Sequence, residues 1–215
     1  MSTTHTRRPS AARLGLAAVL TATLALAGSA IAATQASAAT PLTSTVTIDA
    51  GANSGGGIVG SWFRFLDPTG TTWVPNPVSA LTPTTYTQLV NGNVGLDLSS
   101  AQTTPGDILT PQDFFFPGGA FDATTPSAPV IYGQSGSGTA DPITDSSGNV
   151  GKGSIAWEIE WAGNPGHTYV VGSNDVSGTI DWVNNTVTID WDKVINDPGD
   201  AFDGYHAFWH LTGTF

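Results

Sequence analysis

Ser154-Ile-Ala-Trp-Glu-Ile-Glu-Trp161 is the stretch from which the fold of this chain can be read. Ile155, Trp157, Ile159 and Trp161 fall on one face, and Ser154, Ala156, Glu158 and Glu160 on the other. Successive side chains of a strand point to opposite faces, so the alternation predicts a strand with one face buried. A helix would scatter both sets around its axis.

Two later segments repeat the pattern. Between Val176 and Trp191, Val176, Gly178, Ile180 and Trp182 share one face, then Val187, Ile189 and Trp191 share one on the return, opposite Thr186, Thr188 and Asp190. Asn184-Asn185 lies between the arms, and Asn tolerates positive φ, so a hairpin with a tight type I′ turn is expected. From Tyr205 to Phe215, the row Tyr205, Ala207, Trp209, Leu211, Gly213 and Phe215 alternates with His206, Phe208, His210, Thr212 and Thr214. A terminal strand with a full apolar row is expected to dock in the sheet rather than fray.

The amino-terminal segment reads as an export signal. Arg7, Arg8 and Arg13 form a basic region, and Leu14 to Ala27 is apolar with no acid. Ala30-Ile31-Ala32 and Ala36-Ser37-Ala38 are small-x-small cleavage patterns, and cleavage is expected after Ala38 or Ala39. Arg7-Arg8 hints at twin-arginine export, but Pro9-Ser10-Ala11 stands where apolar residues would follow, so the general secretory route is favoured. The chain is therefore read as a signal peptide over 1–39 and one domain over 40–215, secreted, with no membrane span after signal removal.

Beyond that leader the bases Arg64, Lys152 and Lys193 face all 17 acids, a formal charge of −14 (3 − 17). Such a balance disfavours nucleic acid and anionic lipid as partners and leaves cation binding open. There is no cysteine, so stability has to come from packing, chiefly of the seven Trp and nine Phe.

The remaining chain offers shorter signals. Thr43 to Asp49 is a plausible strand, and Gly51 to Gly57 reads as a loop too rich in glycine to hold an extended shape. Ile58 to Leu66 is the next strand, ended by a turn at Asp67-Pro68-Thr69-Gly70. Thr84 to Val90, Val94 to Leu98 and Pro129 to Gly133 are short candidates. Gln112 to Phe116 holds three consecutive Phe that cannot all point inward, so it either bulges or crosses between sheets. Ser135 to Gly153 is a polar, glycine-rich loop, flexible or ordered by a ligand. With no helix signal in sight, the expected fold is all-β, a single-domain β-sandwich or barrel-like sandwich, mainly antiparallel.

Gly60-Ser-Trp-Phe-Arg-Phe-Leu-Asp-Pro-Thr-Gly70 with Thr84-Thr-Tyr-Thr-Gln-Leu89, and Phe202-Asp-Gly-Tyr-His-Ala-Phe-Trp-His-Leu-Thr-Gly-Thr-Phe215, resemble segments of secreted actinobacterial proteins of no assigned activity. The resemblance implies export and a β-rich fold, and it brings no catalytic residue with it.

Several constellations bear on chemistry. Glu158 and Glu160 share a strand face, about 7 Å apart at their α-carbons, and carboxylate pairs hydrolyse glycosides. Laminarinase-type glycosidases carry a similar Glu-x-Asp strand with a further acid soon after; here none follows until Asp175. His206, Phe208 and His210 form a ligand-facing row, but the two histidines lie roughly 13 Å apart along a strand, too far to share a zinc. His167 stands in a Gly/Pro loop and adds no motif. The acidic loops Asp145–Asn149 and Asp197–Asp203 offer oxygens suited to calcium, or simple Asx turns. Ser135 and Ser137 lie in a Gly/Ser run without a nucleophile-elbow setting, and Asn184-Asn185-Thr186 matches a glycosylation pattern inside a tight turn. Trp157, Trp161, Trp182, Trp191 and Trp209 share rows with Ile, Val or Leu and are expected in the core, whereas Trp62 and Trp73 are less constrained.

The function expected from these features is a non-enzymatic extracellular protein that binds a glycan or surface partner through His206, Phe208 and His210, with no cofactor. The alternatives are a secreted glycan hydrolase acting through Glu158 and Glu160, and a structural protein of the cell envelope.

Overall fold

The computed structural model describes residues 38–134, 140–162 and 168–215. The expected export signal up to residue 37, Ser135, Ser137 and His167 lie outside the described residues. Fifteen strands and no helix are found among them. In chain order these are β1 (Ala39–Pro41), β2 (Thr45–Ile48), β3 (Ala52–Ser54), β4 (Gly57–Val59), β5 (Trp62–Leu66), β6 (Thr87–Gln88), β7 (Leu96–Asp97), β8 (Gln112–Phe114), β9 (Phe116–Thr124), β10 (Tyr132–Gln134), β11 (Asp141–Pro142), β12 (Gly153–Trp161), β13 (Thr168–Asp181), β14 (Thr186–Val194) and β15 (His206–Thr214).

The main sheet runs β6-β5-β15-β14-β13-β12-β9-β8, with β11 on β13, and β2 joining β15 to β7. Every named strand pair in it is antiparallel. Its two end strands are joined by one buried side chain. Asn76 Nδ2 donates to Thr87 Oγ1 at 2.9 Å, on β6, and to the Asp113 carbonyl at 3.2 Å, on β8. Its Oδ1 accepts from Phe115 N–H at 3.1 Å. Asn76, only 1 % exposed, thus seals a nearly closed barrel where the ladder itself is missing.

The three segments with strict alternation build the interior. β12 buries Ile155, Trp157 and Ile159, β14 buries Val187, Ile189 and Trp191, and β15 buries Ala207, Trp209 and Leu211. Trp157 meets Trp191 edge-on at 5.2 Å and Trp209 at 5.4 Å, while Trp191 and Trp209 stack at 5.8 Å. Phe63 of β5 stacks on Trp209 at 4.9 Å. The three indole N–H groups are buried without a hydrogen-bond partner, a cost that the aromatic packing has to exceed. An apolar cavity of about 20 Å³ lies inside, bounded by Phe63, Phe121, Tyr169 and Trp209 among others. That is scarcely room for one water, so the barrel interior is packed core. Among the described residues no helix is long and apolar enough to cross a membrane.

The weaker signals fared less evenly. The hairpin between β13 and β14 turns over four residues, Trp182 to Asn185, instead of the expected two-residue type I′ turn. Asp181 organises it: Oδ1 accepts from the N–H groups of Val183 and Asn184, each at 2.9 Å, and only Asn185 takes positive φ. Gly51 to Gly57 forms most of a small hairpin, β3 with β4, rather than an unstructured loop. The strand expected over Ile58–Leu66 breaks at Gly60, whose φ is +72° and where a Cβ would sit 2.1 Å from the Ala50 carbonyl oxygen. The triple Phe is the reversal between β8 and β9: Phe114 is buried, Phe115 takes φ 68° and is half-buried, and Phe116 is exposed. The described part of the loop before Gly153 is ordered by its own chain, with Ile143 N–H on the Gly178 carbonyl at 3.0 Å and Thr144 N–H on Tyr132 at 2.8 Å. Trp161 and Trp182 are only partly buried, at the margins of the core.

Candidate functional site

The outward residues of β5, β14 and β15 form an aromatic and acidic patch. Cross-strand register places Asp190 beside His210 and His210 beside Trp62; one step along, Asp192 stands beside Phe208 and Phe208 beside Arg64. Two rows of rings result. Tyr86 meets Trp62 edge-on at 4.9 Å, and Trp62 stacks on His210 at 5.0 Å. Trp73 meets Phe208 at 5.2 Å, and Phe208 lies parallel to His206 at 6.4 Å. The Arg64 guanidinium sits between the rows, 3.3 Å from the Trp73 ring centre and 4.7 Å from that of Tyr86, and donates to Tyr86 Oη at 2.8 Å. Such cation–π contacts pin the loop carrying Trp73 onto the sheet.

His210 Nδ1 is 2.6 Å from Asp190 Oδ1, with the His210 side chain 24 % exposed. That bond fixes the ring's orientation and leaves Nε2 turned away from Asp190. Next to it opens a cleft of about 170 Å³ lined by Trp62, Phe208, Ser177, Asp190 and Asp192, with the chain at Trp191 and Trp209 behind. Rings on the walls and carboxylates within the same cleft suit a ligand with an apolar face and hydrogen-bond donors at its edge.

The structure brings His206, Phe208 and His210 to one face, as alternation predicts. It adds Trp62, Arg64, Trp73, Tyr86, Asp190 and Asp192, which were not grouped with them by sequence. The alternation Trp62-Phe63-Arg64-Phe65, and Asp190-Trp191-Asp192, carried the needed signal: each puts a polar or amphipathic residue opposite a buried ring.

Glu158 and Glu160 lie elsewhere on the barrel wall, and they are not on a bare flat sheet. Asp122 of β9 is the register partner of Glu160. With Thr103, Pro105 and Thr124, these three carboxylates line a second cleft of about 160 Å³. The two acidic loops, read as calcium-suited or as Asx turns, hold their carboxylates in local hydrogen bonds, and Asp200 Oδ1 also accepts from Tyr169 Oη at 2.9 Å. Asp145 Oδ1 accepts from Ser147 and Asn149 N–H at 2.8 and 2.9 Å, and Oδ2 from Asn149 Nδ2 at 2.7 Å. The Asn149 amide foremost holds the Asp145 carboxyl below its usual range. Asp203 Oδ1 accepts from Asp197 N–H at 3.0 Å, and Asp200 Oδ1 from Phe202 N–H at 2.8 Å. Among the described residues no group of three or more His, Cys, Asp or Glu is placed to hold a metal. No family model, no curated protein and no solved structure matches the chain.

Proposed function

We propose that the chain is a secreted, non-enzymatic protein that binds a glycan in the Trp62–Phe208 cleft. The observation that carries this reading is the meeting of two aromatic walls with Asp190, Asp192 and Ser177 in one opening. Sugar rings present C–H faces that pack on aromatic side chains, and hydroxyl edges that donate to carboxylates. Export fits the basic-apolar leader and the resemblance to secreted actinobacterial proteins. Cleavage after Ala38 keeps β1 whole, since Ala39 is the register partner of Gln134. The test is a binding panel of soluble and insoluble polysaccharides against the mature protein, with Trp62→Ala and Phe208→Ala as controls. Each variant is expected to lose roughly tenfold in affinity, about 1.4 kcal/mol, with the circular dichroism spectrum retained. Failure of the wild-type protein to bind any glycan overturns the reading.

A second reading, glycan hydrolysis through Glu158 and Glu160, is favoured by the third carboxylate, Asp122, that shares their cleft. It requires one acid to protonate the leaving oxygen and another to attack or activate water. Release of reducing ends that Glu158→Gln and Glu160→Gln each abolish would support it. Equal release by the variants and the wild type would refute it.

A further inference from the structure

Resting on the glycan-binding role above, we propose that the Trp62–Phe208 cleft selects sugars bearing free amino groups, the chemistry of a β-linked glucosamine polymer, over neutral or N-acetylated ones. Asp190 and Asp192 are the charged side chains that line this cleft. They stand two residues apart on the outward side of β14, about 7 Å between α-carbons. Asp190 is shared with His210, which holds it in place. Asp192 is exposed, and among the described residues it has no hydrogen-bond or ion-pair partner.

Of the three bases Arg64, Lys152 and Lys193, the last follows Asp192 directly but falls in the opposite row of β14, with the buried Trp191. Arg64 is covered by Trp73 and Tyr86 and spends a donor on the Tyr86 hydroxyl. Lys152 is paired with Asp175. An ammonium group entering the cleft therefore meets the Asp192 carboxylate, without a partner among the described residues, beside the rings of Trp62 and Phe208. N-acetylation removes the charge and adds bulk, so it forfeits both interactions while leaving the stacking surface intact. Uronic or sulfated glycans would face the acid excess of the whole chain, −14 beyond the leader (3 − 17). The aromatic walls thus supply general sugar affinity, and Asp192 supplies the choice.

The experiment is calorimetric titration of the mature protein with three β-1,4-linked oligomers of equal length, built from glucosamine, N-acetylglucosamine and glucose. The glucosamine oligomer is expected to bind roughly tenfold more tightly than the others, a preference that shrinks as salt is added. Asp192→Asn is expected to abolish the preference, bringing the glucosamine oligomer down to the affinity of the other two. Trp62→Ala is expected to weaken all three. Glu160→Gln, in the other acidic cleft, is expected to keep the preference; loss there equal to that of Asp192→Asn would mean diffuse charge attraction and overturn the assignment. Equal affinity for the three oligomers would overturn amino-group selection and leave glycan binding standing. Binding of none would remove both.

Discussion

Strands β5 and β15 carry aromatic rings on both faces, and the two faces hold them by different means. Inside, Trp209 is 2 % exposed, stacked between Phe63 and Trp191, and its N–H has no partner. Outside, Trp62 and Phe208 are half-buried and lean on Tyr86, His210, Trp73 and, in the case of Trp62, the Arg64 guanidinium. The inner rings gain their stability from excluded water and dense contact. The outer rings are positioned by polar and charged neighbours and keep an open side. Residue type alone does not tell these roles apart. Position in the two-residue period does, because one step along a strand exchanges core for surface.

The largest effect that bears on this contrast is expected inside. Trp209→Ala should cost about 3–5 kcal/mol, the range for removing a buried ring, whereas Trp62→Ala should cost about 1–2 kcal/mol from its lost ring pairs. Urea denaturation of both variants measures the gap. Equal losses would mean that the outer patch is as much a part of the core as the inner one.

Next comes the seam. Asn76→Ala removes the bonds to Thr87, Asp113 and Phe115 and leaves buried groups unpaired, which should cost about 2–3 kcal/mol. Hydrogen exchange should quicken first at the amides of β6 and β8. Uniform quickening across the sheet would show that Asn76 is not a local latch.

The smallest effect lies in the exposed turns. The carboxyls of Asp67, Asp97, Asp145 and Asp181 all lie below their usual 3.8, held there mainly by hydrogen bonds from neighbouring side chains and backbone N–H groups. For Asp181 the Asn184 amide contributes most. A depressed folded pKa adds stability that is present above the unfolded value and lost as pH falls through the folded one. Melting temperature should therefore decline as pH falls below 3.8, and Asp181→Asn, which lowers stability near neutrality, should show a shallower decline and close its gap to the wild type in acid. A steeper decline in the variant would reverse the assigned sign.

The weaker parts of the sequence were hard to read for physical reasons. β6 and β7 are two residues each, too short for a period to register. In β9, Pro117-Gly118-Gly119 reads as a breaker, yet the strand continues to Thr124 because β8 and β12 pair along it. The four-residue hairpin turn follows from an Asp181 cap that competes with the Asn-Asn signal. At the outer patch, the row His206, Phe208, His210 was legible from β15 alone, while Trp73 and Tyr86 lie outside the strands, Tyr86 just before β6 in the stretch expected as a strand over Thr84–Val90.

The sequence by itself determined that this chain is all-β and which residues of β12, β14 and β15 face inward, since alternation is a local property of an extended backbone. Only the tertiary structure decided that Asn76 closes the ring, that Asp122 stands beside Glu160, and that Trp62, Asp192 and Phe208 share one cleft. Those neighbours are distant in the chain, and their meeting depends on strand order and register, which arise from the competition of all strands for partners and are not written in any one of them.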